Sequence, residues 1–428
     1  MCTASLILLA ALDLGTLFAN KGAWTTKSEL FAVEHAKDGF EFASETRDLV
    51  NCLKHDTCTW HGLKVYETRV YFDKGGEEER VARVELSLYN RGDAGGDRLD
   101  AAALERMLDK VVREFVPGGV KDKPERTALK NGAFQYRRAF PRTDPSGELV
   151  WGTSSGFGGG RSVDYVRLVL TPKGGVKARR GSLARRASGA AGKTRARDNV
   201  TKGPNGDVFI DNVPMVDQGQ KGYCSAAVSE RVLRYYGNTI DEHEIAQMAG
   251  TSARGGTEVS ALKRAVTAIG AKNGLGFQDI VSLASGDFEK EIAQYNRAAK
   301  AERKPALSLA SFVRGNVIYV SEMYEAMDKT VIYRMRQKDP RFKKFISGVR
   351  QQVDAGIPVF WGVTLGIYPE RCVNPQSRGG HMRLIIGYNE KKSEILFSDT
   401  WGEGHELKRM PEDWAFAITS EAFCLKPR

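Results

Sequence analysis

The sequence predicts an α+β protein with two domains, and three observations carry this prediction. Residues 21–172 show strand-like alternation around one amphipathic helix, whereas residues 206–428 show helical segments followed by strand-like apolar runs. Residues 173–205, between them, are basic and have no apolar periodicity, which is typical of a flexible, solvated linker. The chain has 428 residues, of which 41% are hydrophobic, so it is long enough to build two or three separate cores.

The positive charge of the chain is concentrated in this linker. The net charge is +11, and residues 173–197 alone hold nine Lys or Arg side chains and no acidic one. The two folded parts are consequently close to neutral. No aromatic side chains are interleaved with the basic ones, so the linker lacks the stacking groups of a nucleic-acid-binding segment. We therefore expect no nucleic-acid partner.

The first 19 residues are mostly apolar, but they are too short to span a bilayer comfortably and Asp13 interrupts them. Small residues near Ala19 and a polar chain beyond it predict a secretory signal peptide over residues 1–19, cut near Ala19–Asn20. We therefore expect a protein that is secreted or resides in the periplasm or cell envelope, with no transmembrane segment in the mature chain. A buried N-terminal helix is the alternative interpretation.

The first domain, residues 21–172, is predicted to be a small sheet with one packed helix. Alternation over residues 63–72 and 81–89 predicts a hairpin that turns at Gly75–Gly76. A helix follows and stops at Pro117. Its apolar face consists of Leu104, Met107, Leu108, Val111, Val112 and Phe115. Three further strands are predicted over residues 133–140, 149–154 and 163–170. We assign no chemistry to this domain.

Four side chains that can bind zinc recur at every third position: Cys52, His55, Cys58 and His61. In an exported protein we expect a disulfide between Cys52 and Cys58. Two free thiols, or a zinc site that includes the two histidines, are the alternatives. Cys372 and Cys424 form a second possible pair. We expect no metal and no cofactor.

The segment from Asp217 to Ala227 has the features of a nucleophile site. Its polar, glycine-bearing turn runs directly into Cys224. Apolar residues then follow at roughly helical spacing: Ala227, Val228, Leu233 and Tyr236. Charged residues lie between them: Glu230, Arg231 and Arg234. The thiol is therefore expected at the first turn of a helix, where unsatisfied backbone N–H groups and the helix dipole favour thiolate.

Two later segments supply a base and the group that would orient it. His381 opens a strand-like apolar run, and after a short hairpin the partner strand, residues 393–398, leads to Asp399. Adjacent antiparallel strands can bring this imidazole and this carboxylate within hydrogen-bond reach, as a thiol nucleophile requires. Gln218, six residues before Cys224, can join the Cys224 backbone N–H in an oxyanion hole.

These motifs resemble those of the papain-like cysteine peptidases. The nucleophile motif is similar to Gln218-Gly219-x-x-Gly222-x-Cys224, the histidine motif to Gly380-His381, and the Asn-Ser-Trp-Gly motif to Asp399-Thr400-Trp401-Gly402. Asp in place of Asn is similar to the bacteriocin-processing, double-glycine branch of these enzymes. The resemblance covers about residues 206–428, and the motifs follow one another in the family's order.

The resemblance implies a domain in which a helical side packs on an antiparallel sheet. A long segment, about residues 276–350, departs from the family pattern and is predicted to be helical. The expected helices cover about residues 287–300, 317–337 and 341–354.

The resemblance also implies a function. It implies hydrolysis of peptide bonds through a thioester, with Cys224, His381, Asp399 and Gln218 as site residues and Trp401 as a shelter for the His–Asp pair. The expected partner is a protein or peptide substrate, and residues 21–172 are a possible intramolecular regulator. The alternatives are a non-catalytic binding protein that keeps the fold, and a cysteine-dependent amide transferase or isopeptidase.

Overall fold

The structure is a computed structural model that describes the chain except for residues 1–10, 45, 55, 75–77, 94–97, 130–131, 156–160, 174–195, 220, 239, 252–256, 284–287, 316 and 371–378. The chain divides into two compact units, of which the first comprises residues 1–179 and 246–255 and the second comprises residues 180–245 and 256–428. The predicted α+β class is confirmed. None of the helices in the described part of the chain is long and apolar enough to cross a membrane.

The first unit is built mainly from strands. Its helices are α1 (Leu14–Ala19), α2 (Ser28–Glu34) and α3 (Ala101–Phe115). Its strands are β1 (Leu12–Asp13), β2 (Phe40–Phe42), β3 (Leu49–Cys52), β4 (Cys58–Trp60), β5 (Leu63–Lys64), β6 (Glu67–Asp73), β7 (Arg80–Asn90), β8 (Glu125–Ala128), β9 (Phe134–Phe140), β10 (Ser146–Ser155) and β11 (Arg161–Thr171). Eight of them form one antiparallel sheet in the order β2-β3-β6-β7-β11-β10-β9-β8.

The core of the first unit packs against this sheet. Alternate side chains of β6, β7 and β11 are buried in it, and α3 adds the apolar face that was predicted. Asp100 caps the start of helix α3, because its side chain accepts a hydrogen bond from Ala103 N at 2.7 Å. It ends at Phe115, before Pro117.

The sheet is larger than the predicted one. Strands β2 and β3 have three and four residues, too few for the alternation of side chains to stand out. Strand β8 lies at the sheet edge and is exposed along its length, so it has no apolar pattern to detect. The predicted Gly75–Gly76 turn falls outside the described residues.

Residues 12–18 of the N-terminal segment contribute to this core. Helix α1 buries Leu14 and Phe18, and the Phe18 ring lies 5.1 Å from that of Trp24 and 6.2 Å from that of Phe31. Cleavage near Ala19 stays a prediction.

The predicted Cys52–Cys58 disulfide is wrong for this structure, because both residues are free thiols. The two buried side chains share a hydrogen bond, and Cys52 Sγ also lies 3.3 Å from Thr57 Oγ1 and 3.4 Å from the Asp38 carbonyl oxygen. Cys424 is also a free, buried thiol, and its predicted partner Cys372 lies outside the described residues.

The second unit combines helices with a second antiparallel sheet. Its helices are α4 (Cys224–Tyr235), α5 (Glu242–Ala249), α6 (Val259–Lys272), α7 (Phe288–Ala301), α8 (Val320–Ala326), α9 (Lys329–Gln337), α10 (Arg341–Asp354) and α11 (Glu412–Ile418), where the last residues of α5 are counted with the first unit. Its strands are β12 (Val200–Lys202), β13 (Asp207–Ile210), β14 (Leu275–Ser282), β15 (Val313–Arg314), β16 (Val317–Ile318), β17 (Val359–Leu365), β18 (Gly379–Asn389), β19 (Glu394–Ser398), β20 (Lys408–Pro411) and β21 (Thr419–Pro427).

Strand β18 is the centre of this sheet. The main path runs β12-β13-β18-β17-β21-β14, and β19 also pairs with β18 and carries β20 on its other edge. Helix α4 packs against β18. An apolar run that is buried in the sheet favours this strand: Met382, Leu384, Ile385 and Ile386.

The segment predicted to be a helical insert is partly a strand. Residues 275–282 form β14, which pairs with β21 at the sheet edge, because Leu275, Ile280 and Val281 bury their side chains there. The predicted helices over residues 287–300 and 341–354 correspond to α7 and α10. The one predicted over residues 317–337 is two helices, since Asp328 caps a new helix through hydrogen bonds from Thr330 N and Val331 N.

The predicted linker is described only in part. Residues 174–195 lie outside the described residues, so most of the predicted linker has no structural account. Residues 200–202, within the predicted linker, form strand β12 and pair with β13. This short strand is therefore part of the second sheet.

Candidate active site

Cys224 is the first residue of α4, as the sequence predicts. The turn before it is fixed locally: Asp217 Oδ1 accepts a hydrogen bond from Gly219 N at 2.9 Å, and Gly219 has a φ of 64° that favours glycine. The thiol is partly buried at the positive end of a twelve-residue helix.

His381 and Asp399 meet across neighbouring strands of the sheet. Leu384 of β18 pairs with Ser398 of β19, so the residue that follows β19 comes beside the first residues of β18. His381 Nε2 lies 2.5 Å from Asp399 Oδ1, and both side chains are buried. His381 is hydrogen-bonded in turn to the thiol of Cys224. A cysteine, a histidine and a carboxylate from distant parts of the chain thus form one continuous chain of contacts.

The electrostatics of these contacts favour a thiolate–imidazolium pair. Burial by itself raises the pKa of Cys224, but the hydrogen bond and charge of His381 outweigh it, and the pKa lies below its usual value. Burial lowers the pKa of His381, but the charge and hydrogen bond of Asp399 outweigh burial and raise this pKa to about 9. The proton is therefore held on the imidazole at neutral pH.

Asp399 is buried but surrounded by cations. Burial alone raises its pKa, yet Arg383, His381 and Lys408 together hold the pKa of this carboxyl far below its usual range. Arg383 Nε lies 3.0 Å and Lys408 Nζ 3.4 Å from Asp399 Oδ2. Oδ1, on the other side of the carboxylate, faces the histidine. The main chain of Asp399 is held as well, because Arg231 donates to its carbonyl oxygen at 2.6 Å.

Trp401 packs against the imidazole of His381. Its ring is stacked on that of His381, with centroids 4.9 Å apart and planes inclined by 24°. The next residue, Gly402, has a φ of 79°, and a Cβ atom there would come within 2.6 Å of Asp217 Oδ2. The glycine therefore lets the loop after Asp399 approach the turn before Cys224.

Gln218 is fully buried and held by the same loop. Its backbone N–H donates to the Thr400 carbonyl oxygen at 3.0 Å, and its Oε1 accepts from Thr400 Oγ1 at 2.5 Å. Its Nε2 donates to the carbonyl oxygen of Lys221 at 3.0 Å. The structure thus brings Gln218 to the turn that leads into Cys224 and fixes the orientation of its amide.

Sequence reasoning missed several residues of this site. Arg231 was grouped with the polar positions of an amphipathic helix, but it is buried and reaches Pro214 O, Asp399 O and Ser398 Oγ. Arg383 was read as one residue of an apolar run. The available signal was the charge itself, because a lone arginine inside a buried strand needs partners from elsewhere.

The comparisons with known proteins first give the class of this unit. Residues 210–419, about half of the chain, match the model of the Peptidase_C39 like family. The resemblance predicted from the motifs is therefore confirmed over these residues, and the match supports a cysteine peptidase function.

Two solved structures are also similar to part of this chain. The peptidase domain of Streptococcus ComA, a bi-functional ABC transporter involved in a quorum sensing pathway, is 11% identical, with 51% of this chain and 100% of that chain covered and a TM-score of 0.25. Xylellain, a cysteine protease from Xylella fastidiosa, is 11% identical, with 55% of this chain and 89% of that chain covered and a TM-score of 0.27. The comparison with curated proteins finds no match.

Proposed function

We propose that the second unit hydrolyses peptide bonds of a protein or peptide substrate through a thioester on Cys224. In this proposal His381 is the general base and acid, Asp399 orients the imidazole, and Gln218 contributes to the oxyanion hole. The observation that carries the proposal is the continuous contact from the Cys224 thiol through His381 to Asp399. The match to a peptidase family over residues 210–419 supports the same class of reaction.

The reaction proceeds in two displacements. The Cys224 thiolate attacks the carbonyl carbon, and the oxygen takes the negative charge beside the Cys224 N–H and a Gln218 amide N–H. The C–N bond then breaks as His381 gives its proton to the leaving amine, and a thioester remains. Water then attacks this thioester while His381 takes a proton from the water. The C–S bond breaks, which releases the acid and restores the thiolate.

Removal of the nucleophile tests this assignment. We expect Cys224→Ala to reduce cleavage of a fluorescent, unfolded protein substrate to background, while Cys424→Ala, which changes another buried thiol of the unit, keeps the wild-type rate. Cleavage by Cys224→Ala at the wild-type rate would show that the assignment is wrong. Adding a primary amine separates hydrolysis from transfer, since a transferase would form the amide rather than the acid.

The destination of the protein remains a separate proposal. We propose that the chain is exported, on the basis of its apolar first 19 residues. Fractionation of expressing cells followed by N-terminal sequencing tests this, and a protein found only in the cytoplasm with its N terminus intact would contradict it. Regulation of the activity by the first unit is likewise a prediction from the domain order.

A further inference from the structure

Strand β18 carries a fully buried arginine two residues after His381. Arg383 is 0% exposed, and its neighbours in the strand are the apolar residues Met382 and Leu384. A guanidinium in such a place is costly unless ion pairs and hydrogen bonds compensate it. The partners of Arg383 therefore indicate why this strand holds a charge.

Arg383 bridges two carboxylates. Its Nε lies 3.0 Å from Asp399 Oδ2, and its two terminal nitrogens donate to the two oxygens of Glu370 at 2.9 Å each. The guanidinium carbon also lies 4.8 Å from the ring centroid of Phe397 and 5.8 Å from that of Trp401. The bidentate pair and the rings leave this side chain little freedom to turn away from Asp399.

From this geometry we infer that Arg383 is a positioning residue of the site: it holds Asp399 Oδ2, so that Oδ1 faces His381, and Glu370 holds Arg383 in place. The inference rests on the proposed function and names a further residue for it. Lys408, 3.4 Å from the same oxygen, is the second cation.

The role of Arg383 is electrostatic as well as geometric. Burial favours the neutral form of Asp399, and the charge of Arg383 is the largest influence that opposes it. Without this charge the carboxyl takes up a proton at a higher pH, and a neutral carboxyl no longer stabilises the imidazolium that keeps Cys224 ionised. Among the described residues, the charged or titratable groups around Asp399 are His381 and Arg383 on β18, Lys408 on β20, Cys224 and Arg231 on α4, and Glu370, His405 and Glu406 in loops.

The rate at which iodoacetamide alkylates Cys224 tests this inference, because it reports thiolate without any peptide substrate. In the full chain, measured by peptide mass spectrometry between pH 4 and 8, we expect Arg383→Met to move the acid limb of the profile upward by about one pH unit, or about tenfold in rate below the limb. Arg383→Lys keeps a cation and should recover at least half of this shift. Arg409→Met is the matched control: Arg409 lies in the same sheet but pairs with Asp207 and Glu394, and its profile should equal the wild-type one.

A second variant guards against misfolding of Arg383→Met. Lys408 is 19% exposed on strand β20, and Lys408→Met should move the limb in the same direction by a smaller amount. Acid limbs at the wild-type pH in the folded variants would overturn the positioning role while leaving the peptidase assignment untouched. A wild-type Cys224 that reacts no faster than a free thiol would overturn the proposed function, and this inference with it.

Discussion

Cys224 and Cys424 belong to the same unit and have opposite surroundings. Cys424 lies in the middle of β21, fully buried, with Gln352 Oε1 3.6 Å from its sulfur, and burial raises its pKa to about 12. Cys224 lies at the start of a helix, where the hydrogen bond and charge of His381 overcome the effect of burial and lower its pKa. One thiol is therefore held neutral, whereas the surroundings of the other favour its thiolate.

The difference shows that burial raises the pKa of both thiols, and that only a charged, hydrogen-bonding partner overcomes this effect. Apolar surroundings suppress the ionisation of either thiol, and a helix start contributes only modestly against them. What separates Cys224 is a histidine whose own charge is supported by a buried carboxylate, and that carboxylate is supported by Arg383 and Lys408. Reactivity at this site thus depends on several layers of side chains.

Selective alkylation should show the largest contrast between the two thiols. At pH 7 a thiol with a pKa of about 12 is ionised to only about one part in 10⁵. Even after allowing for the weaker nucleophilicity of a low-pKa thiolate, we expect iodoacetamide to modify Cys224 about 10³-fold faster than Cys424. Peptide mapping of the folded chain over time measures both rates, and equal rates would remove the distinction.

Gln218→Ala should separate activation of the thiol from stabilisation of the oxyanion. Loss of one oxyanion donor typically costs about 2.7–4 kcal/mol of barrier, so we expect kcat to fall about 10²- to 10³-fold. Alkylation of Cys224 involves no oxyanion and should keep its rate. Parallel assays of peptide cleavage and alkylation measure the two effects. A loss of both in equal proportion would indicate that Gln218 shapes the loop around Thr400 and does not serve the reaction directly.

The pH dependence of cleavage should carry the signature of His381. Its pKa is raised to about 9, so the imidazolium persists through neutral pH and is lost as the pH rises through about 9. The leaving amine needs that proton, and kcat/KM should therefore fall on the alkaline side near pH 9. A profile measured over pH 6–10 locates the limb. A fall near pH 6.5, the usual range of histidine, would mean that Asp399 does not support the imidazolium.

Cys424→Ala should have the smallest effect and act on stability alone. The change removes one buried sulfur from a packed sheet, and we expect the free energy of unfolding to fall by about 1–2 kcal/mol. Urea denaturation measures this loss. Cleavage and Cys224 alkylation should keep their wild-type rates, whereas a marked loss of either would make Cys424 more than a packing residue.

The sequence predicted which three side chains meet at the site, but it did not predict the side chains that hold Asp399 in place. The order of the Cys224, His381 and Asp399 motifs, with strands on both sides of a hairpin, was enough to expect the three side chains together. Arg383, Glu370 and Arg231 could not be predicted in the same way, because periodicity identifies a buried strand or helix but not which distant carboxylate will face a charge on it. Their partners lie up to 168 residues away along the chain, as for Arg231 and Asp399.

Strand β14 was missed for a related reason. Residues 275–282 pair with strand β21, about 140 to 150 residues later in the chain, so their sequence neighbours do not indicate a sheet. Helices α7 and α10, by contrast, repeat their apolar positions within one segment and were predicted almost to the residue. The break before Asp328 was missed because a capping aspartate between two short helices resembles an ordinary polar position in one long helix.

Helix α1 cannot be both a cleaved signal peptide and a part of the core of the mature protein. A leader is discarded during secretion, whereas Leu14 and Phe18 fill the interior of the first unit. A mature form cut after Ala19 would have a cavity in this core, and its free energy of unfolding would fall by about 1.5–3 kcal/mol for each missing apolar side chain. The first residue of the purified protein therefore reports both its destination and whether its interior is complete.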